Sequence, residues 1–323
     1  MRWLGTPQLG SANEPGHLNA LLDRVGRAVP PVLLRRLQRM ADAFPPLARL
    51  RQARRLRHQI RSVFGYEPNL HHPRTFNERV AHKILYDRDP LIPLTTDKVA
   101  VRDYVAAKAG TEILLPQFGV WDRAEDIPWD ALPNSFALKG SHGWQMNLLV
   151  HDKSALDRAA ATRQATRWLS ESHFDRCGEW GYRGIRPRLL AEQLLVGDRP
   201  SRIPEDFKIF VFGGQPRLLE VHFDRGTDDY GFLIYDAREL CPLPSMGGTW
   251  RGAAPYVLPP EAPELADVAA RLGADFEFVR VDLYLSQGKV WFGELTHYPA
   301  NACARYAGFE QDLFVGDIWA GKR

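Results

Sequence analysis

The chain has 323 residues, 45% hydrophobic and 25% charged, with a net charge of +3. That is enough apolar material for a core in two or three subdomains, and it excludes a fibrous or disordered chain. No run reaches the roughly 18 to 20 apolar residues of a membrane span, and residues 1–20 hold Gly, Pro, Asn and Glu where a signal peptide is apolar, so a cytoplasmic protein is expected. Cys177, Cys241 and Cys303 are odd in number, far apart and without a CxxC pair, so neither a disulfide framework nor a zinc site is expected.

Charge is unevenly spread. Pro31 to Ser62 holds nine arginines against one acid, Asp42, so that segment carries +8 and the rest of the chain −5. Leu47, Leu50, Ala53, Leu56, Ile60 and Val63 recur every three to four residues, which predicts an amphipathic helix after Pro46 with a basic outer face. Such a helix suits an anionic membrane surface, an acidic glycan or a partner protein, or is a solvated extension on the main body. Nucleic acid fits poorly, because no aromatic residues for base stacking are interleaved there.

The main body begins near Tyr66. Thr75 followed by Glu78 is a capping-box start for a helix carrying Val80, Ala81, Ile84 and Leu85. A second helix is predicted from Thr96 through Val99, Val101, Tyr104 and Val105, which puts Lys98 in its first turn. A cation there opposes the helix dipole and so serves an anion, unless it is a plain surface lysine.

Residues 132–144, LPNSFALKGSHGW, read as an apolar strand running into Lys139 and a loop of Gly140, Ser141, His142 and Gly143. Glycines let backbone approach a ligand and a lysine meets phosphate as a point charge, although an ordinary tight turn has the same residues and no GxxxxGK[ST] loop is present. In PRLLAEQLLVGD at 187–198, Glu192 sits inside an apolar strand. A carboxylate placed so must pair, bind a ligand or face water at a sheet edge; adenine and ribose groups would suit Glu192 and Asp198.

The spacing in residues 276–299 is the most informative. Alternation places Arg280, Asp282 and Tyr284 on one strand face and Val279, Val281, Leu283 and Leu285 on the other. If residue 286 pairs with 290, Asp282 faces Glu294 and Arg280 faces Thr296; a one-residue slip breaks the match. Facing carboxylates repel unless they share a hard cation such as Mg²⁺ or pair with the arginine. Upstream, Asp206 and Lys208 share a face of a strand that turns at Gly213-Gly214 into a second strand ending in Asp224-Arg225. Lys208, Arg225 and Arg280 then form three cations able to converge on phosphates.

Taken together, PRTFNERVAHKILYDRDPLIPLTTDKVAVRDYV at 73–105, LPNSFALKGSHGW at 132–144, RPRLLAEQLL at 186–195, DFKIFVFGGQP at 206–216 and VRVDLY followed by FGELT resemble the TupA-like (teichuronopeptide biosynthesis type) ATP-grasp family. The resemblance covers roughly His72 to Phe314 and implies an α+β, ATP-grasp fold: two α+β subdomains holding ATP between them, after a smaller N-terminal α/β region and, here, a basic helical extension. It implies Lys98 and Lys139 as phosphate-binding lysines, with Gly140 and Ser141 to Trp144 as a mobile loop over the phosphates. Glu192 through Leu195 resembles the adenine-binding hinge, with Asp198 as ribose contact. Asp282 and Glu294 match the Mg²⁺-binding acids, and Thr296 stands where many ATP-grasp enzymes have asparagine. Lys208, Arg225 and Arg280 resemble the catalytic cations.

The expected organisation is a basic extension at 1–65, an N-terminal subdomain at 66–131, a lid subdomain at 132–198 and a C-terminal subdomain at 199–323. The implied activity is ATP- and Mg²⁺-dependent joining of a carboxylate to an amine through an acyl phosphate. Its substrates would be an acidic, uronic-acid-containing glycan or precursor and an amino acid or peptide, with a glycosyltransferase or the inner membrane face as a contact for Pro31–Ser62. A glycan or sugar kinase on the same site, and a catalytically idle nucleotide-binding component of a polysaccharide-synthesis complex, are the alternatives.

Overall fold

A computed structural model describes residues 45–198, 203–225, 227–228, 230–249 and 256–323. The chain divides into two compact units, residues 1–52 and 53–323. The first fourteen residues of the basic segment lie outside the described residues. Its remainder is helix α1, Pro45–Phe64. The predicted apolar stripe is buried at Ala53, Leu56 and Ile60, whereas Leu47, Leu50 and Val63 are exposed.

Helix α2, Phe76–Tyr86, starts on the expected capping box, with Thr75 accepting from the Glu78 N–H and Glu78 reaching back to the Thr75 N–H. Such a cap is worth about 1 kcal/mol. Val80, Ala81, Ile84 and Leu85 are buried beneath it. The helix expected from Thr96 begins later, as α4, Val101–Ala109, and a short helix, α3, Leu91–Thr96, precedes it. Lys98 lies in the turn between them, not in a first helical turn. The break has a cause: Asp97 Oδ1 accepts from the Val99 N–H, while the Lys98 N–H leaves the helix path to bond Ser141 O at 3.1 Å.

Two antiparallel sheets follow. The four-stranded sheet has the order β1-β4-β2-β3, from β1 Gln117–Trp121, β2 Phe136–Gly140, β3 Asn147–Val150 and β4 Leu189–Glu192. Helix α5, Arg158–Ser170, closes its core with Ala165 and Trp168 against Phe136, Leu138 and Leu189. The six-stranded sheet has the order β10-β9-β5-β6-β7-β8, from β5 Glu205–Phe212, β6 Gln215–Phe223, β7 Gly231–Asp236, β8 Gly248–Thr249, β9 Phe278–Ser286 and β10 Lys289–Thr296.

Strand alternation then sorts the chemistry. Phe207, Ile209 and Val211 of β5, with Val279, Val281 and Leu283 of β9, bury one face against α4 and α7, Ala262–Gly273. The opposite face is apolar at one end, where Phe210, Phe212 and Phe278 pack on α2 and α8, Phe309–Trp319, and charged at the other, where Lys208 pairs across the ladder with Asp282.

Residues 66–131 are shared between these layers. Helices α2 and α4 pack on opposite faces of the six-stranded sheet, while β1 forms the edge of the four-stranded one, beside β4.

Candidate active site

The hairpin β9–β10 begins one residue out of the expected register. Ser286 pairs with Lys289 and Leu283 with Phe292. A β-bulge at Gly293 then absorbs one residue, and beyond it Glu294 faces Asp282 and Thr296 faces Arg280, as the spacing anticipates. Glycine is required there: a Cβ on residue 293 would stand 2.8 Å from Asp282 O and 2.8 Å from a Tyr284 ring carbon.

Around this pairing the cations converge. Arg280 donates to both Asp282 oxygens at 2.6 Å, and Lys208 adds a 2.6 Å bond to Asp282 Oδ2. Lys208 also holds Asp206 at 2.9 Å, and Arg225 reaches Asp206 at 2.8 Å. Burial pushes Asp282 up, but Arg280 and Lys208 outweigh it and hold the carboxyl below its ordinary range. Asp282 is 2% exposed with both oxygens occupied, whereas the Glu294 side chain is 44% exposed. Thr296 Oγ1 links Arg280 to Glu294, accepting from Arg280 at 3.2 Å and donating to Glu294 Oε1 at 3.0 Å.

The four-stranded sheet supplies a second cluster. Glu192 occupies an interior strand, not a water-facing edge, and its carboxylate pairs with Lys139 of the neighbouring β2, with Arg102 4.0 Å away. Lys98 Nζ donates to Gly143 O at 2.6 Å, and burial pushes its ammonium down. The glycine loop is tied in place: Ser141 and His142 are buried, Ser141 N–H bonds Arg188 O, and His142 Nε2 lies 2.9 Å from Trp168 O.

Both clusters open on one cavity of about 470 Å³ between the sheets. Lys98, Lys139 and Glu192 line it from one side and Arg280, Glu294 and Thr296 from the other, while Val101, Leu115, Leu190, Phe292 and Leu295 give an apolar stretch. Segment 113–116 closes its back by bonding both sheets, Ile113 O to the Phe292 N–H and Pro116 O to the Gln193 N–H. At another wall Ala300 and Asn301, with adjoining Ala302, form three successive left-handed residues, a strained turn bonded by Gln59 Nε2 to Asn301 O at 3.0 Å.

Asp282 and Lys208 stand behind Arg280, outside the cavity lining, as do Arg225 and residues 140–143. Leu195 and Asp198 are also off the wall; the Asp198 carboxylate instead accepts from the Gln287 N–H in the β9–β10 turn at 2.7 Å. Arg102, Glu179 and Tyr182, which no motif in the sequence marks, also line the cavity, as does Trp144 at the end of the glycine loop. Arg102 was within reach, lying four residues after Lys98. Glu179 is 4% exposed, and burial pushes its carboxyl up to about 8, with Cys177 and Arg55 opposing and Glu294 adding to the rise.

An anionic ligand with an apolar ring system fits this donor set: an apolar slot, two lysines and two arginines, and a volume within the roughly 300–1,000 Å³ of small-ligand sites. A hard cation fits the half-exposed Glu294 and the Thr296 hydroxyl, since Mg²⁺ takes one or two carboxylates and completes its shell with water and phosphate. Asp282 would join such a shell only by giving up part of its Arg280 and Lys208 pairing.

The model of the TupA-like ATP-grasp family matches residues 78–320. Among solved structures, the chain is similar to the ATP-grasp ligase PsnB complexed with its minimal precursor, at 14% identity and a TM-score of 0.39, covering 72% of this chain and 62% of that one. It is similar to D-alanine–D-alanine ligase from Helicobacter pylori at 14% identity and a TM-score of 0.40, covering 70% and 61%, and to that from Bacillus anthracis at 15% and 0.38, covering 71% and 69%. The chain thus spans about three fifths of the length of the first two. No curated protein matches it.

Proposed function

The chain belongs to the TupA-like ATP-grasp family and carries the ATP-grasp fold, and on that premise we propose that it is a carboxylate–amine ligase using ATP and Mg²⁺. The observation that supports this most is the single cavity on which the Lys98–Lys139–Glu192 and Arg280–Glu294–Thr296 groups both open. In this reading ATP lies along it, with the adenine against Leu190, Phe292 and Leu295 and the phosphates between Lys98 and Lys139.

Mg²⁺, held by Glu294 and Thr296 with Asp282 as the second acid, would screen the phosphate charge and lower the barrier to in-line transfer. Arg280 lines the cavity beside them and neutralises charge building on the transferred group. Asp282 and Asp206 hold Arg280, Lys208 and Arg225 in one place. The γ-phosphoryl group passes to a substrate carboxylate, and an amine then attacks the acyl carbon, releasing phosphate and leaving an amide.

Trp144 and Tyr182, which also line the cavity, would keep water from that activated acyl group. We place the carboxylate on a uronic-acid-containing glycan or its precursor and the amine on an amino acid or peptide. The Arg-rich segment would meet an anionic membrane or a glycosyltransferase. Arg35, Arg36 and Arg39 changed to Glu should then lower co-sedimentation with anionic vesicles; unchanged binding removes that contact.

Calorimetric titration of Mg-ATP, with GTP as control, into wild type and Lys139→Ala tests the core of the reading. Binding by the wild type that weakens in the variant supports it, and no nucleotide binding under any metal condition overturns it. Phosphate release in the presence of uronic acids and amines then separates a ligase from a kinase, which would retain phosphate on its product.

A further inference from the structure

We propose that His173, Cys177 and Glu179 form a transition-metal site of the zinc class in the cavity wall, distinct from the Glu294–Thr296 end. The absence of a CxxC pair argued against zinc, but a mixed N/S/O set needs no such pair. Helix α6, His173–Cys177, carries the first two residues one turn apart on one face. Gly178, left-handed at φ 74°, ends the helix and turns the chain so that Glu179 comes back beside Cys177. One ligand atom from each of the three lies within 4.8 Å of the others, and all three side chains are buried, at 2%, 4% and 4% exposure.

A second observation points the same way. His173 is 98% buried, its Nδ1 lies 3.0 Å from Arg176 Nη2, and its Nε2 has no hydrogen-bond partner. A buried ring nitrogen left so is destabilising, and a ligand on it would relieve that. Arg176 sits at the surface, stacked 4.8 Å over Trp144, and can release Nδ1 when the ring's proton moves there.

Imidazole, thiolate and carboxylate are the ligand types of Zn²⁺, and the thiolate disfavours Mg²⁺ and Ca²⁺. On binding, the thiol and carboxyl protons leave to solvent and the ion takes their place. Three protein ligands leave one tetrahedral position for water, and of the three Glu179 also lines the cavity. The ion would also clamp α6 to the Glu179–Tyr182 stretch, fixing a wall that Trp144 and Tyr182 share with His173 through ring contacts of 5.1 and 4.3 Å.

The test uses the full chain stripped of metal by chelation and titrated with Co²⁺ alone, then with Zn²⁺ in competition. The expected result is one equivalent of Co²⁺ with a thiolate-to-cobalt charge-transfer band and the visible bands of a tetrahedral ion, both erased by Zn²⁺. Cys177→Ser should remove the charge-transfer band, and His173→Gln should weaken Zn²⁺ binding by on the order of 100-fold or more. Circular dichroism checks that both variants fold, and if one does not, the other decides. A Co²⁺ complex without the thiolate band, or one whose band and affinity survive in the variants, overturns the site. Mg-ATP binding is measured on the stripped protein, so a failed nucleotide assignment and a failed zinc site are told apart.

Discussion

The two charged clusters on either side of the cavity are built differently. On the four-stranded sheet, Lys139 and Glu192 form one cross-strand pair whose lysine is 24% exposed, and Lys98 beside it bonds only a loop carbonyl among the hydrogen bonds it makes to described residues. On the six-stranded sheet, Lys208, Arg225 and Arg280 share Asp206 and Asp282, with Asp206 and Asp282 at 1% and 2% side-chain exposure. The first cluster has cations to spare for a ligand, and the second spends its carboxylates on holding its cations still. A charge removed from the second is therefore felt by the fold, while one removed from the first is felt by the ligand.

Asp282→Asn should break this contrast most sharply. It strands Arg280 and Lys208 with one fewer carboxylate in a buried site, a change that costs about 3–5 kcal/mol. Denaturant unfolding should show that loss together with near-complete loss of ATP turnover. Glu294→Gln, directly opposite Asp282 on the same ladder, should lose turnover by on the order of 100-fold or more and keep its unfolding midpoint, because Glu294 is half-exposed and its nearest buried cation, Arg280, lies 3.9 Å away. If Glu294→Gln unfolds as readily as Asp282→Asn, the division between a holding acid and a ligand-facing acid is wrong. Gly293→Ala sits between them: overpacking against Asp282 O and Tyr284 should cost about 1–3 kcal/mol and lower turnover by displacing Glu294.

How much of this was legible in the sequence follows from which contacts are local. The capping box at Thr75, the β5–β6 hairpin and the faces of β9 are set by short-range spacing, and each appears where the residues place it. The Asp282–Glu294 pairing came out as anticipated although the turn did not: the two-residue turn at Gln287-Gly288 shifts the register by one and the bulge at Gly293 shifts it back. The helix expected to include Lys98 starts later because a contact distant in sequence, the Lys98 N–H to Ser141 O, takes that residue off the helix path. Glu179 and Tyr182 are hidden from the sequence for the same reason. Their spacing carries no period, and only the packing of α6 against the loop brings them to the wall. The bond from the Gln287 N–H of the β9–β10 turn to the Asp198 carboxylate is likewise tertiary, and no local spacing announces it.

The smallest effect is the most discriminating for the nucleotide side. Lys139→Met keeps the length of the side chain and removes its charge, so Mg-ATP affinity should fall about 10- to 100-fold, equal to ~1.4–2.7 kcal/mol. Glu192 keeps Arg102 as a partner at 4.0 Å, so the loss of stability should be smaller than in Asp282→Asn. Glu192→Gln alone should leave Lys139 to turn wholly toward phosphate and so weaken ATP less than the lysine variant does. In the double variant the two losses should not add, because the pair shares one contact. Additive losses would mean that Lys139 and Glu192 meet ATP independently, and the four-stranded cluster would then be two separate contacts and not a lysine held ready by its neighbour.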